Sequence, residues 1–412
     1  MKAWRPELMS VMGRAVIVGA GIAGVSAAAA MRSAGFEGEV FLLGDEPELP
    51  YRRPPVSKEI IRGEKTADGI RIKKEDWYRN NNIELLTQTR VTSVDPDGRM
   101  LEIAGAAPIH FDTLLLATGG RARTMGEARG IRTLRTLAEV PRLRAGLMPG
   151  QHVIVVGAGL IGSEIAASAR GLGCDVTLLE AAGLPLPRLL PPSIGQMYVD
   201  LHKGHGTELH TGVTVANIAD QGGETVVTAT DGRSWSAPMV VLAVGMVPAT
   251  DLAEAAGIAV DNGIVVDAAG RTSVPGIFAA GDVSNQPNAI LGGRHRVEHW
   301  QGAQNHGTAV GKAMAGDDVS FGEVPWCWSD QYGQTLQVTG WPEATDNLVV
   351  RGNIDELDFS AFFLREGRLV GAVTIGRPGD VREARKLIGV RATIGIGALA
   401  NESTAVADSV IA

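Results

Sequence analysis

The sequence contains very little cysteine. Cys174 and Cys327 are the only two in 412 residues, and neither forms a CxxC or CxxxxC pair or stands in a cluster of metal ligands. Chemistry that uses a pair of redox-active cysteines near the first helix is therefore excluded, because no cysteine precedes Cys174. We predict that both thiols are buried and structural, and that the protein holds no metal.

The chain also lacks an excess of positive charge and long apolar runs. Its formal net charge of -8 excludes non-specific binding to nucleic acid, which requires a basic surface. No apolar run reaches the roughly 18 residues that a membrane span needs, and the first residues lack the apolar core of a signal peptide. We expect a cytoplasmic protein without nucleic-acid or membrane partners, long enough for two or three domains.

Glycine, by contrast, is abundant, and two glycine-rich turns repeat one pattern. AVIVGAGIAGVSAA begins at residue 15 and VIVVGAGLIGSEIA at residue 153; each leads from an apolar strand into a helix and on to a second strand. The first glycine permits a tight bend, the second lets the backbone approach a pyrophosphate, and the third lets the helix pack on the strand. We therefore predict two dinucleotide sites, with phosphates at the helix N-termini. Their glycines are Gly19, Gly21 and Gly24 in the first turn and Gly157, Gly159 and Gly162 in the second.

Acidic residues follow the second strand of each repeat. Glu180 stands 23 residues after Gly157, where a carboxylate accepts hydrogen bonds from ribose hydroxyls and repels a 2'-phosphate. No arginine follows to hold such a phosphate, so NADH is favoured over NADPH. In the first repeat Gly44 occupies the corresponding position, and Asp45 is the predicted ribose contact.

Three later segments also predict contacts with a ligand. FDTLLLATGG ends near Thr118 and Gly119, and APMVVLAVG ends at Gly245; each returns an apolar strand to a glycine that lets backbone approach a ligand. In GIFAAGDV, Asp282 follows another such strand and can accept a hydrogen bond from a ligand hydroxyl.

The last part of the chain has a different character. After about residue 324, alternating apolar runs predict an antiparallel sheet with a helical tail. We predict an α/β fold of two Rossmann-like dinucleotide-binding domains followed by a C-terminal α+β domain. The predicted boundaries are 1–120 with 250–323 for the first domain, 121–249 for the second, and 324–412 for the third.

Seven motifs carry a resemblance over nearly the whole chain. VIVGAGIAG, LPYRRPPVSKE, LLLATGG, VIVVGAGLIGSE, GIFAAGDVS, VEHWQGAQNHG and VPWCWSDQYGQTLQVTG occur in this order. This order resembles the FAD- and NADH-dependent ferredoxin reductases of bacterial oxygenase systems, of the putidaredoxin reductase type, with glutathione-reductase-like architecture. PPVSK and PWCWSDQY are the most specific of these motifs.

The resemblance implies FAD and NADH as cofactors and assigns positions to them. For FAD, in addition to the first turn, it implies Ala23, Asp45, Arg53, Lys58, Val91, Thr118, Gly119, Arg135, Asp282 at the ribityl chain, Glu298, and Trp300 at the flavin edge. For NADH, in addition to the glycines of the second turn, it implies Leu160, Ile161, Glu164, Glu180 and Gly245. The chain departs from the family pattern at Ala122 and Ala249, where proline and asparagine are usual, and in lacking an arginine after Glu180.

Lys58 and Glu164 are the ionisable pair that the resemblance implies at the flavin face, and we predict that they are catalytic. A cation there favours electron-rich reduced flavin, and Glu164 neutralises that cation in a poorly solvated site. Trp326 and Trp328, on one face of a strand, either cover the flavin edge or face a partner, or simply pack in the core.

Without a cysteine pair, electrons must leave from the flavin itself, one at a time, which suits a [2Fe-2S] ferredoxin serving an oxygenase. Such ferredoxins are acidic, so we expect docking on a local basic surface. The candidate cations are Arg52, Arg53, Arg62, Lys65, Lys73, Lys74, Arg294 and Arg296.

Two alternatives stay open at this stage. A rubredoxin reductase would share the chemistry and architecture and differ in its acceptor. A nicotinamide-responsive flavoprotein, as in relatives of apoptosis-inducing factor, would recruit partners instead of turning over. Assays with both acceptors and the rate of flavin reduction by NADH distinguish the three.

Overall fold

The computed structural model describes residues 13–187 and 189–411. The chain forms two compact units. Unit 1 comprises Met1–Arg52, Ala67–Arg121 and Val247–Glu323, and unit 2 comprises Arg53–Thr66, Ala122–Met246 and Val324–Ala412. The finer division into three domains at residues 120, 249 and 323 stays a prediction. The N-terminal segment that we judged not to be a signal peptide lies outside the described residues.

The secondary structure alternates strands and helices in both units. In chain order the strands are β1 (Arg14–Val18), β2 (Glu39–Leu43), β3 (Ile83–Leu86), β4 (Val91–Asp95), β5 (Met100–Ile103), β6 (Ala106–His110), β7 (Thr113–Leu116), β8 (Gly120–Ala122), β9 (Ile131–Arg132), β10 (His152–Val156), β11 (Asp175–Leu179), β12 (Glu208–His210), β13 (Val215–Gln221), β14 (Glu224–Ala229), β15 (Ser234–Ala237), β16 (Met239–Leu242), β17 (Met246–Pro248), β18 (Ile264–Val265), β19 (Ile277–Ala279), β20 (Ser284–Pro287), β21 (Arg294–His295), β22 (Trp326–Gln331), β23 (Gln334–Gly340), β24 (Asn347–Asn353), β25 (Asp358–Arg365) and β26 (Arg368–Ile375). The α-helices are α1 (Ile22–Ser33), α2 (Glu75–Asn80), α3 (Val140–Gly146), α4 (Leu160–Gly171), α5 (Pro192–Gly204), α6 (Asp251–Ala255), α7 (Trp300–Met314), α8 (Pro378–Gly389) and α9 (Ile396–Ala400).

A parallel sheet of five strands in the order β3-β2-β1-β7-β19 forms the centre of unit 1. β1 and β7 are apolar and buried almost throughout, as expected of parallel strands covered on both faces. Helix α7 packs against α1 at very short range. A Cβ on Gly307 or Gly311 of α7 would lie 2.2 or 2.3 Å from a backbone carbonyl oxygen of α1, so only glycine allows this approach.

Unit 2 contains a second parallel sheet in which four of the five strands follow the same order, while the edge strand β9 comes first in the chain and its counterpart β19 comes last. Its order is β12-β11-β10-β16-β9, in which β10, β11 and β16 take the places of β1, β2 and β7. Helix α4 follows β10 as α1 follows β1, and both helices have 12 residues. The predicted duplication of the strand-helix-strand unit is confirmed.

The C-terminal segment, also part of unit 2, forms an antiparallel sheet in the order β22-β23-β26-β25-β24. Its apolar face includes Leu336, Phe359 and Phe363, which share one hydrophobic cluster with Tyr198 of helix α5. Helix α8 packs on β26 and β23. This arrangement brings strand β22 next to helix α4.

The predicted α/β fold class is confirmed, while some element bounds differ from those expected. Helix α4 begins at Leu160, inside the glycine-rich motif, because Gly159 is its N-cap residue. The returning strand predicted over residues 111–120 is confined to Thr113–Leu116. A π-helical turn at Val56–Ile60, which follows two prolines, was not anticipated.

Candidate functional site

The first glycine-rich turn is built so that its outer glycines serve the fold. Gly19 has a φ of 112°, and a Cβ there would lie 2.2 Å from the carbonyl oxygen of Ala117. A Cβ on Gly24 would lie 2.1 Å from the carbonyl oxygen of Gly19. At Gly21, in contrast, a Cβ would meet no atom of the described residues within 4 Å. The middle glycine therefore faces open space, which a ligand can fill.

The second turn repeats this division. Gly157 has a φ of 99°, and its Cβ would lie 2.5 Å from the carbonyl oxygen of Ala243. A Cβ on Gly162 would lie 1.9 Å from the carbonyl oxygen of Gly157. Gly159, the middle glycine, again has open space at its Cβ position among the described residues.

Both helix N-termini are left open for an anion. Gly21 caps α1 with φ and ψ of -75° and -174°, and Gly159 caps α4 with -75° and -173°. Neither helix has a side-chain cap or an acidic residue in its first turn among the described residues. Free N–H groups and the positive end of each helix dipole therefore point at the space beside the middle glycine. The two turns fit the pyrophosphates of FAD and NADH.

The acidic residues after the second strands differ in setting. Glu180 directly follows β11 and is 8% exposed. Its carboxylate accepts hydrogen bonds from the backbone N–H groups of Ala158, at 2.7 Å, and Ala182, at 2.8 Å, so it is fixed against the turn. Asp45 is exposed and lies 3.3 Å from a guanidinium nitrogen of Arg90. The ribose contacts predicted for Glu180 and Asp45 stay predictions.

The other FAD positions predicted in unit 1 lie at element ends. Thr118, which precedes Gly119 in the chain, donates its hydroxyl hydrogen to the carbonyl oxygen of Ala249 at 2.8 Å. Val91 is the first residue of β4, and Trp300 is the first of α7. Ala23 is buried in α1, and Glu298 pairs with Arg296.

Asp282 lies in a short 3-10 turn, Gly281–Val283. A buried histidine secures this turn: Nδ1 of His306 accepts the N–H of Gly281 at 3.2 Å. Burial lowers the pKa of His306 to about 3, so its imidazole is neutral and can accept this bond. His306 thus fixes the backbone that presents Asp282.

In unit 2 the structure brings together Lys58 and Glu164, which are 106 residues apart in sequence. The π-helical turn carries Lys58, and the second turn of α4 carries Glu164. Both are 5% exposed, and Lys58 Nζ lies 3.2 Å from Glu164 Oε1. Nζ also lies 3.2 Å from a carboxylate oxygen of Asp330 and 5.9 Å from the ring centre of Trp328.

Glu164 is held by hydroxyl donors on both of its oxygens. Ser57 Oγ donates to Oε2, and Ser329 Oγ donates to Oε1 at 2.8 Å. Burial raises the pKa of the Glu164 carboxyl above its ordinary value, while Lys58 and the two serines act in the opposite direction. The result is a desolvated cluster of ionisable groups, the kind of setting that marks a functional site.

Sequence reasoning missed Ser57, Ser329 and Asp330. A signal for two of them was present, because Ser329 and Gln331 alternate with Trp328 and Asp330 along β22. The alternation gives a buried face at Ser329 and Gln331 and a half-buried face at Trp328 and Asp330.

Three further predictions concern unit 2. Arg53 Nη1 donates to the carbonyl of Arg135 at 2.6 Å, so these two predicted FAD contacts are neighbours. The rings of Trp326 and Trp328 stack with centroids 5.1 Å apart on one face of β22. Cys327 lies on the opposite face of β22 and is buried, and Cys174 is buried as well, so the prediction that both thiols are buried is confirmed. Burial raises the pKa of the Cys327 thiol to about 12.

The cations predicted to dock a ferredoxin are divided between the units. Arg52, Lys73, Lys74, Arg294 and Arg296 belong to unit 1, and Arg53, Arg62 and Lys65 to unit 2. Local ion pairs engage three of them: Arg62 with Glu64, Lys65 with Glu59, and Arg296 with Glu298. A docking role for any one of them stays a prediction.

Among residues 13–187 and 189–411, no group of three or more histidine, cysteine or acidic side chains could hold a metal ion. In the same part of the chain, no helix has the length and apolar character needed to cross a membrane.

The chain belongs to the pyridine nucleotide-disulphide oxidoreductase family, which residues 13–307 match, and residues 326–410 match the reductase C-terminal family. More particularly, it is 34% identical to putidaredoxin reductase CamA of Pseudomonas putida, over 96% of each chain. It is 36% identical to the ferredoxin--NAD(+) reductase subunit of the benzene 1,2-dioxygenase system of Pseudomonas putida, over 96% of this chain and 97% of that protein.

A solved structure supports the same family relation. The covalent putidaredoxin reductase-putidaredoxin complex superposes on 95% of this chain and 96% of that chain, with a TM-score of 0.90 and 33% identity. The resemblance inferred from the seven motifs is confirmed.

Proposed function

We propose that this protein is an NADH-dependent, FAD-containing ferredoxin reductase that supplies electrons to an oxygenase through a [2Fe-2S] ferredoxin. NADH gives up a hydride, which amounts to two electrons and one proton; two ferredoxins each take one electron, and the proton is released to solvent. When bound, FAD supplies the conversion from two-electron to one-electron transfer. A cytoplasmic location is part of the proposal.

One observation carries the proposal: a buried Lys58–Glu164 pair lies in the unit that also holds the second open glycine turn, in a chain with no cysteine in residues 13–173. Without a redox-active thiol pair, the protein can pass electrons to its acceptor only through a bound cofactor. The relatives named above as reductases of putidaredoxin and of a dioxygenase ferredoxin support a one-electron iron-sulfur acceptor.

The chain's residues would act by position and charge. Lys58 provides a fixed cation, which favours the accumulation of negative charge beside it, and Glu164 and Asp330 hold its ammonium in place. Helix α4 begins at the second glycine-rich turn, and Glu164 lies one helical turn further along it. A nucleotide phosphate bound at the glycine-rich turn would therefore be held at a fixed position relative to Glu164.

Glu180 is proposed to select NADH. Both of its oxygens already accept backbone N–H groups of the turn region, so the carboxylate has little freedom to move away. A fixed carboxylate can accept the ribose hydroxyls and repels a 2'-phosphate. Asp45 is proposed as the ribose contact on the FAD side.

The test is reduction of purified acceptors by the FAD-loaded protein. We expect NADH to reduce the flavin quickly and a [2Fe-2S] ferredoxin to be reduced in turn, with NADPH much less effective. Reduction of a rubredoxin but of no ferredoxin would establish the rubredoxin reductase instead. A long-lived complex with NADH and no flavin reduction would indicate a nicotinamide-responsive binding protein.

A further inference from the structure

A line of side-chain hydrogen bonds leads from Glu164 through the interior of unit 2. Ser329 Oγ donates to Glu164 Oε1 at 2.8 Å, and Gln331 Nε2 donates to Ser329 Oγ at 3.0 Å. Gln331 Oε1 lies 2.9 Å from His202 Nε2, and His202 Nδ1 lies 3.1 Å from the hydroxyl of Tyr332. All these groups except Tyr332 are at least nine-tenths buried.

The line continues one step further, to Thr207. Its hydroxyl lies 2.9 Å from that of Tyr332, whose ring stacks on exposed His205 with centroids 4.0 Å apart. The line therefore runs from the buried Lys58 pair to buried Thr207, and at its far end the half-buried Tyr332 ring contacts the exposed ring of His205.

The direction of each bond follows from the chemistry of its end. An ionised Glu164 can only accept, so the hydroxyl hydrogen of Ser329 points to it and Ser329 Oγ must accept from the next group. The amide nitrogen of Gln331 fills that role, which turns its carbonyl toward His202 Nε2.

A neutral imidazole has one donor and one acceptor, so His202 must carry its proton on Nε2 and accept from Tyr332 on Nδ1. Burial lowers the pKa of His202 to about 4, which keeps the ring neutral near pH 7. The Tyr332 oxygen then accepts from Thr207. Every donor along the line is aimed toward the Glu164 carboxylate.

We propose that Ser329, Gln331, His202 and Tyr332 are positioning residues, which hold the Glu164 carboxylate ionised and oriented beside Lys58. Hydrogen bonds arranged head to tail in a poorly solvated interior polarise and strengthen one another. The line offsets part of the desolvation that favours the protonated carboxyl. The role of Glu164 toward NADH rests on the proposed function; its ionisation does not.

The proposal also accounts for the way unit 2 is assembled. Glu164 belongs to α4, His202 to α5, and Ser329 and Gln331 to β22, so the line joins the Rossmann-like sheet region to the C-terminal sheet. The other titratable groups around Glu164 are Lys58, Asp330, Tyr198 and Cys327, and those around His202 are Tyr198, His205 and Tyr332.

The experiment measures protonation of Glu164 directly in the holoenzyme. Infrared difference spectra of protein labelled with ¹³C-glutamate are recorded against pH, and the Glu164 carboxyl band is assigned by its loss in Glu164→Gln. His202→Leu removes both ring nitrogens, whereas His202→Gln keeps one donor and one acceptor. Binding of NAD⁺ is measured on the same samples by calorimetry.

We expect His202→Leu to raise the pKa of Glu164 by about one unit, a tenfold change in proton affinity, and to weaken NAD⁺ binding as pH falls. His202→Gln should restore most of the parent titration. A Glu164 titration in folded His202→Leu that matches the parent would overturn the proposal, as would equal shifts in His202→Leu and His202→Gln.

Gln331→Met provides a second route if His202→Leu does not fold. Methionine has a similar length, carries no charge and cannot donate to Ser329, so it breaks the line without adding a charge near Glu164, and the proton affinity of Glu164 should rise by a similar factor. An unchanged titration in this variant would also overturn the proposal. Tyr78→Phe is the matched control, since the buried Tyr78 hydroxyl has no hydrogen-bond partner among the described residues.

These readouts separate the two proposals. A protein that fails to reduce any ferredoxin still gives a Glu164 titration, so failure of the proposed function leaves the line of donors testable. Conversely, if the protein reduces ferredoxin normally and the pKa of Glu164 is the same in the variants as in the parent, only the proposal about the hydrogen-bond line is wrong.

Discussion

The two glycine-rich turns have almost the same backbone and different surroundings. Their N-cap dihedrals agree within one degree, and the first glycine of each turn lies against the equivalent carbonyl oxygen, that of Ala117 or Ala243. Two acidic side chains of the second repeat have no acidic counterpart in the first: Glu164 and Glu180 stand where the first repeat has Ser26 and Gly44. The backbone therefore defines what both sites share, a pyrophosphate, and the side chains define how they differ.

The packing around each helix explains why the replacements are possible. A Cβ on Gly44 would lie 2.8 Å from the Cβ of Ala20, so the first repeat has no room for an acid there. Helix α1 is covered by α7 at backbone distance. Helix α4 instead contacts the π-helical turn, whose Lys58 forms an ion pair with Glu164, and β22, whose Ser329 donates a hydrogen bond to Glu164. We infer a permanently bound FAD at the first turn and an exchanging NADH at the second.

The largest effect is expected at Glu164. Glu164→Ala leaves Lys58 without its buried partner, and breaking such a pair costs about 3–5 kcal/mol of folding stability. Lys58 is then no longer fixed in place, and loss of one preorganised electrostatic group lowers a rate by about 10²–10³. We expect the rate of flavin reduction at sub-saturating NADH to fall at least about a hundredfold, with FAD still bound, by stopped-flow absorbance. Ser26→Ala, the equivalent position of the first repeat, is the control and should behave as the parent. Equal rates of flavin reduction in Glu164→Ala and Ser26→Ala would contradict the special role assigned to Glu164 in the second repeat.

Acid should destabilise both units through buried histidines. His202 in unit 2 and His306 in unit 1 have pKa values lowered to about 4 and about 3, below the value of 6.5 in the unfolded chain. The unfolded state therefore binds more protons, and the stability present above pH 6.5 is lost as pH falls toward 4, by about 1.4 kcal/mol per unit of pKa difference. Urea unfolding of His202→Gln and His306→Gln against pH should give shallower slopes. Slopes equal to that of the parent would show that neither ring is neutral in the fold.

The middle glycines allow each cofactor to be weakened separately. Both have dihedrals open to any residue, so Gly21→Ala and Gly159→Ala should fold, while the new Cβ fills the space left for a phosphate. Losing one charged hydrogen bond costs about 1.5–3 kcal/mol, so affinity should fall about tenfold to a hundredfold. Gly21→Ala should lose FAD on dilution, and Gly159→Ala should retain FAD and bind NADH weakly in calorimetry. Loss of FAD from Gly159→Ala would contradict the assignment of the turns.

The smallest effect is expected for the choice of nucleotide. Glu180→Ser with Ala181→Arg removes the repelling carboxylate and adds a cation at an exposed position. The ratio of kcat/KM for NADPH to that for NADH should rise about tenfold, as one charged hydrogen bond is worth about 1.5–3 kcal/mol. Asp45→Ser is the control in the first repeat and should leave this ratio unchanged. A double variant that keeps the parent ratio would place ribose recognition elsewhere.

Much of the fold could be predicted because each glycine-rich turn needs a backbone conformation that only glycine adopts readily. Gly19 and Gly157 have positive φ values and sit against carbonyl oxygens, and the strand and helix on either side follow from their apolar periodicity. The pair Lys58 and Glu164 could be named only through the family resemblance. Ser57, which donates to Glu164, and His202, which lies further along the hydrogen-bond line, were missed because serine and histidine carry no local pattern, and their contacts join segments more than 100 residues apart.

The most direct test of the central claim is anaerobic mixing of the FAD-loaded protein with NADH and a [2Fe-2S] ferredoxin, followed by the ferredoxin's visible and electron paramagnetic resonance spectra. The account predicts that NADH reduces the ferredoxin, with two ferredoxins reduced for each NADH consumed. A flavin that NADH reduces while the ferredoxin stays oxidised, for every [2Fe-2S] ferredoxin offered, would contradict it.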